Sequence, residues 1–138
     1  MKFDKKQTAE KMKGTFVGLL DVVFIETADD NRLEATMRVR SDLLQAAGVL
    51  HGGVTIAFAE TVSGVGSNLL CGNDEFALGM QISASHLKSA YPGDVIRAIG
   101  SIQHKGKTTH VWNVDVVSEE TGKLISTIRI TNAVVKNR

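Results

Sequence analysis

The sequence predicts an α+β fold, with one long helix held by a six-stranded antiparallel sheet. Three observations carry that prediction. Residues 52–70 form a long, largely apolar run of helical character. Strand-like segments parted by turn signals fill most of the chain after it, and two more stand before it. The helix is also apolar nearly all round, which marks an element enclosed by other structure. A long antiparallel sheet encloses one helix by curling around it.

The elements follow in order. Residues 4–15 are charged and helix-tolerant, a short surface helix ending near Gly14. Leu19–Thr27 mixes Val, Ile and Phe as a strand, and Ala28-Asp29-Asp30-Asn31 turns the chain. Leu33–Arg40 alternates apolar with polar residues, the period of a half-exposed strand, and completes a hairpin. A loop across Ser41–Leu50 leads into the helix at 52–70. Gly64 and Gly66 each cost that helix roughly 1 kcal/mol against Ala, so they mark close packing.

After the helix, Phe76–Leu87 is a strand and Tyr91-Pro92-Gly93-Asp94 a strong turn. Val95–Gln103 runs to a second turn at His104-Lys105-Gly106-Lys107. Thr108–Val117 alternates, with Val111, Asn113, Asp115 and Val117 on one face and Trp112, Val114 and Val116 on the other. Glu119-Glu120-Thr121-Gly122 turns the chain again, and Leu124–Val135 is the last strand. The order is β-β-α-β-β-β-β, the hotdog architecture. Residues 1–17 read as an N-terminal surface segment and 18–138 as a single domain.

Composition bounds the function. A chain of 138 residues with 43% hydrophobic and 22% charged side chains is long enough for a real core. A net charge of +1 with no basic run argues against a nucleic-acid partner. One cysteine, Cys71, excludes an intrachain disulfide. The four histidines lack metal-ligand spacing, so no metal and no cofactor are expected. The N-terminus has no signal-peptide core, and Glu60, glycines and serines interrupt the 54–70 run, short of the roughly 20 apolar residues a membrane span needs. A cytoplasmic location without membrane partners follows as the expectation.

The chemistry concentrates around the start of the helix. In Leu50-His51-Gly52-Gly53 a histidine and two glycines precede the apolar run. The first N–H groups of a helix lack intrahelical acceptors and sit at the positive end of its dipole. Glycines let a carbonyl oxygen come close, as an oxyanion hole requires. A tight loop-to-helix turn with His51 merely capping explains the same residues equally well. Glu60 is the one acid in the run, costly unless it has partners or work; Thr61 and Ser63 are the neighbours that could satisfy it.

Glu60 follows His51 by nine positions, half a revolution round the helix and about 13 Å along it. The two residues of one chain therefore point to opposite sides. A twofold partner can bring His51 and Gly52 of one chain to Glu60 of the other, so the spacing predicts a dimer with shared sites. Gln45, in the entering loop, could bond an acyl group or orient water, or simply be solvated.

Gln45–Ser63, with Q-x-x-x-x-x-H-G-G and an Ala-Glu pair at mid-helix, resembles the hotdog-fold acyl-CoA thioesterases. Gly79–Ala90 is similar to the family's G-x-x-I-x-A-x-H-x-x-S-A strand, and the likeness runs from about Gly18 to Val135. The nearest subgroup is the aryl-CoA thioesterases, which include the 1,4-dihydroxy-2-naphthoyl-CoA hydrolases and the enterobactin proofreading thioesterases. The resemblance implies hydrolysis of an acyl-CoA, with Glu60 as nucleophile or general base and the Gly52 N–H polarising the carbonyl. It implies that His51 and Gln45 position the acyl group and the departing thiolate, and that Gly79 and Ser63 contact the substrate. His86, Lys88, Ser89 and the loop His104-Lys105-Gly106-Lys107 would hold pantetheine and the nucleotide phosphates. A tetramer of two dimers is a further implication.

One departure stands out. The family's hydroxyl residue four positions after the acid is replaced by Gly64, leaving Thr61 and Ser63 as candidates to assist water and the acyl pocket roomier. Two other classes compete with hydrolysis. A dehydratase or hydratase on an acyl thioester needs a histidine base near an acid and a proline-containing loop, and no proline follows His51. A non-catalytic acyl-CoA sensor would have no need for an acid in an apolar helix.

Overall fold

The computed structural model describes residues 1–137. Six strands, β1 (Val23–Ile25), β2 (Arg32–Arg38), β3 (Glu75–His86), β4 (Val95–Lys105), β5 (Thr109–Ser118) and β6 (Leu124–Lys136), form one antiparallel sheet in the order β1-β2-β4-β5-β6-β3. Among the described residues three α-helices accompany it, α1 (Lys5–Met12), α2 (Phe16–Leu19) and the long α3 (Gly52–Leu70), which packs on β2 through β6. This is the expected hotdog fold.

Alternation builds the core. Leu33, Ala35 and Met37 of β2, Ile96 and Ala98 of β4, Trp112, Val114 and Val116 of β5, and Ile128 and Ile130 of β6 are buried on one face of the sheet. They meet Phe58, Ala59 and Val62 of α3. The turns use the residues their geometry demands. In the first hairpin Asn31 N–H donates to Asp29 Oδ1 at 2.8 Å, and Gly93 (φ +91°) closes the 91–94 turn.

The structure differs from the expectation in four places. Leu19 belongs to α2, a single helical turn capped by Thr15, so the first strand shortens to three residues. β4 runs on to Lys105 through a bulge between Ile102 and His104, so His104 and Lys105 lie on a strand and not in the turn. The buried residues of α3, Thr55, Phe58, Ala59, Val62, Ser63, Gly66 and Ser67, follow the i, i+3, i+4 spacing of one face. This chain thus covers half of the helix and leaves Glu60, Thr61, Gly64 and Val65 partly open. In the N-terminal segment α1 buries nothing, but Met1 is enclosed, its ammonium donating to Thr27 O and Asp29 O.

No helix among the described residues is long and apolar enough to cross a membrane.

Candidate active site

The loop before α3 is pinned so that the helix starts at a defined point. Leu44 bridges Leu50, Leu50 N–H donates to Ala90 O at 2.8 Å, and His51 N–H donates to Leu43 O at 3.0 Å. His51 is the N-cap, its Nδ1 accepting from Gly53 N–H at 2.8 Å. That bond leaves Nδ1 without a proton and puts the neutral ring's proton on Nε2. Val54 and Thr55 N–H donate to His51 O at 2.9 and 3.3 Å. Of the first four helix N–H groups, Gly52's alone has no acceptor among the described residues. Capping and an open donor are therefore both present.

Gly52 is glycine because a side chain approaches its backbone. A Cβ there would stand 2.7 Å from His86 Nε2. The His86 ring is held from its other side, Nδ1 lying 2.7 Å from Ser126 Oγ. Gly52 and His86 share a cleft of about 290 Å³ with Gln45, Thr55, Lys88 and Ser89. Gln45 Oε1 accepts from Ala47 N–H at 2.7 Å, and its side-chain NH2 stays unspent at the cleft.

Glu60 is not in this cleft. It faces β3, where a Cβ on Gly79 would collide with Oε1. Neither expected neighbour satisfies the carboxylate. Thr61 Oγ donates to Ala57 O at 2.7 Å, and Ser63 Oγ donates to the main-chain oxygen of Glu60 at 3.0 Å. Glu60 is thus a half-buried acid with no hydrogen-bond or ion-pair partner among the described residues.

Ser63, expected to meet substrate, is fully buried and faces the sheet instead. Asn132 Nδ2 donates to its main-chain oxygen at 3.2 Å and to Ser67 Oγ at 3.0 Å. Trp112 Nε1 also donates to Ser67 Oγ, at 2.8 Å. With both lone pairs taken, the Ser67 hydroxyl donates its proton to His110 Nδ1, 3.1 Å away. Burial pushes the His110 pKa down, in keeping with this neutral, accepting ring. The network anchors the half of α3 that follows Glu60.

Strand register then separates the candidate residues into two groups. One row across the sheet reads His86, Ser126, Val116, Ala98, and the other reads Gly79, Asn132, His110, Lys105. Along β3 the rows lie about 20 Å apart. Gln45, His51, Gly52, His86, Lys88 and Ser89 gather at the first. Glu60, Gly79 and the stretch His104-Lys105-Gly106-Lys107 gather at the second. One chain therefore does not unite Lys88 and Ser89 with residues 104–107 in a single cradle, contrary to their grouping from sequence. Ser126 and the Ser67–His110–Asn132 network were not foreseen. No spacing links 86 to 126; only the register of β3 on β6 does.

The chain belongs to the thioesterase superfamily, whose family model matches residues 47–125, and it is a thioester hydrolase. The 1,4-dihydroxy-2-naphthoyl-CoA hydrolase of Escherichia coli is 36% identical over 123 residues, spanning 89% of this chain and 88% of that protein. The proofreading thioesterase EntH of Cronobacter sakazakii is 34% identical over 122 residues, 88% of this chain and 87% of its own. Among solved structures, a thioesterase of Haemophilus influenzae superposes with a TM-score of 0.88 at 29% identity, covering 99% of this chain and 93% of that one.

Proposed function

We propose that this thioesterase hydrolyses an acyl-CoA with an aromatic acyl group, at sites shared between two copies of the chain. The observation that carries the reading is the pair of unspent groups, the Gly52 N–H and the Glu60 carboxylate, about 12 Å apart along α3 of one protomer. β3 is an edge strand of 12 residues with its outer edge unpaired, and Leu78 and Met80 on it are 55% and 62% exposed. Laying two such edges antiparallel puts the His86 end of one against the Gly79 end of the other. Gly52 then meets the Glu60 of its twofold mate. The aromatic acyl group and the pairing of such dimers into tetramers rest on the relatives and the family resemblance. Acyl-CoA as substrate suits a cytoplasmic enzyme.

In this reading the Gly52 N–H, aided by the helix dipole, stabilises the oxyanion that forms on the thioester carbonyl. Glu60 acts as nucleophile or general base. As a base it takes a proton from water as the water oxygen bonds to the acyl carbon. The C–S bond then breaks, and the thiolate of CoA recovers that proton. His51 Nε2–H and the Gln45 amide NH2 would orient the acyl oxygen and the thiolate. His86 with Lys88 and Ser89 holds the pantetheine arm, and residues 104–107 of the mate reach the nucleotide end. The unpaired Glu60 favours catalysis over the sensor reading, since a sensor has no need for a carboxylate that no residue of its own chain engages.

Glu60→Gln keeps the shape and removes the base. It should lower kcat by about 10²–10⁴-fold with an unchanged melting point. Thiol release near the wild-type rate on a panel of aryl-CoA esters would reject the assignment.

A further inference from the structure

Beside Glu60 lies a second cavity, and its polar groups are nearly all committed elsewhere. It is an open groove of about 410 Å³ between α1–α2 and the open face of α3. Met12 and Val17 form one wall, Val65 and Leu69 the other. Gly64, one turn beyond Glu60 on the same face, lines it too, and a Cβ there would meet nothing within 4 Å. The cavity is therefore apolar and roomy, and it adjoins the helical turn that carries the acid.

Three polar side chains and one cation complete the lining. Thr8 Oγ donates to Asp4 O at 2.9 Å, and Thr61 Oγ donates to Ala57 O. Both protons of Asn68 Nδ2 are used, on Gly64 O at 2.8 Å and Ala77 O at 3.1 Å. Lys11 forms no ion pair among the described residues. It is the one side chain of this lining whose donors are unspent, and it stands at the cavity's exposed rim. An occupant with an apolar body finds contact throughout, whereas a polar end finds one donor, and that donor is positive.

We propose that the N-terminal segment forms a wall of the acyl site and that Lys11 selects acyl groups bearing an anionic oxygen at the end remote from the thioester. This rests on Glu60 being the reacting carboxylate, one helical turn before Gly64 on the same face, so that the scissile carbon would stand next to the cavity. The acyl body then runs outward past Gly64 to Lys11. A hydroxyl or alanine side chain at position 64 would narrow that path, and glycine leaves it open.

The test compares benzoyl-CoA with 4-carboxybenzoyl-CoA, which share a ring and differ in the remote carboxylate. Lys11 is exposed, so Lys11→Met and Lys11→Glu leave the fold intact. The ratio of kcat/KM, carboxybenzoyl over benzoyl, should fall about five- to tenfold in Lys11→Met and further in Lys11→Glu, with benzoyl-CoA within twofold of wild type. Gly64→Leu, built into open space, should raise KM for both esters about tenfold or more while the oligomer persists. A ratio unchanged within twofold, with Glu60→Gln inactive on both esters, overturns the role of Lys11 and leaves the catalytic assignment standing. Full turnover in Glu60→Gln instead overturns the reading beneath it. If Gly64→Leu dissociates the oligomer and leaves KM unaltered, a second copy of the chain fills the cavity and the proposal is wrong.

Discussion

Gly79→Ala places a methyl group where the Glu60 carboxylate now stands. The new Cβ would overlap Oε1 and lie 3.2 Å from Cδ. Ordinary carbon contacts settle near 3.5–4.0 Å, so the carboxylate has to move by about 1 Å. The fold yields at little cost, because Oε1 ends a flexible side chain and β3 is an exposed edge strand. Replacing glycine also removes backbone freedom from the unfolded chain, worth about 0.4–1 kcal/mol where the conformation allows it. The melting point should therefore hold. Catalysis should not: a 1 Å misplacement of a reacting group costs about 10²-fold in rate, or about 2.7 kcal/mol. Thiol release from an aryl-CoA ester, followed as a function of substrate, should show kcat down about a hundredfold and KM within threefold. Because the methyl group acts only through Glu60, Gly79→Ala added to Glu60→Gln should lower the rate no further. A kcat within threefold of wild type refutes the reasoning, and so does an additive loss in the double variant.

Three further expectations follow, two from the proposed shared site and one from the burial of His110. Mixing inactive His51→Ala and Glu60→Ala protomers, once exchange is verified by mass, should restore about a quarter of the activity, since each mixed dimer holds one intact site; no recovery, or a fully active monomer by light scattering, contradicts sharing. Lys88→Ala, Lys105→Ala or Lys107→Ala should raise KM for acyl-CoA by about three- to tenfold with a smaller change in kcat, and do less with acyl-pantetheine; equal losses on both substrates give the lysines another role. Burial holds the His110 pKa below its ordinary value of about 6.5, so the unfolded chain binds the proton more readily. The stability His110 contributes is then present above pH 6.5 and lost as pH falls through the lower folded value. The melting point should drop between pH 7 and pH 5, less steeply in His110→Gln; parallel curves remove His110 from the account.

What could be read from the sequence was what local geometry decides. The bounds of α3 followed from its glycine start and apolar run, and the inner faces of β2 and β5 from strict alternation. α2 escaped because one helical turn, Phe16–Leu19, carries no periodic signal and the segment's Val and Phe favour a strand. The end of β4 escaped because a bulge after Ile102 breaks the alternation that would have extended it. The same division runs through the site. The helix alone dictates that His51 and Glu60 face apart, so nine positions in sequence were enough to separate them. Which residues join each of them depends on register between strands far apart in the chain: His86 meets Ser126 across 40 positions, and Asn132 meets Ser67 across 65. Lys88 and Lys105 have the same charge and the same plausible ligand, and nothing near them in sequence says they stand at opposite ends of a sheet. The two rows of the sheet, each ending on β3, carry that helical offset through to two positions along one open edge. In the proposed dimer, a second copy paired on that edge would bring its own Glu60 carboxylate to the Gly52 N–H of the first, with the substrate carbonyl between them.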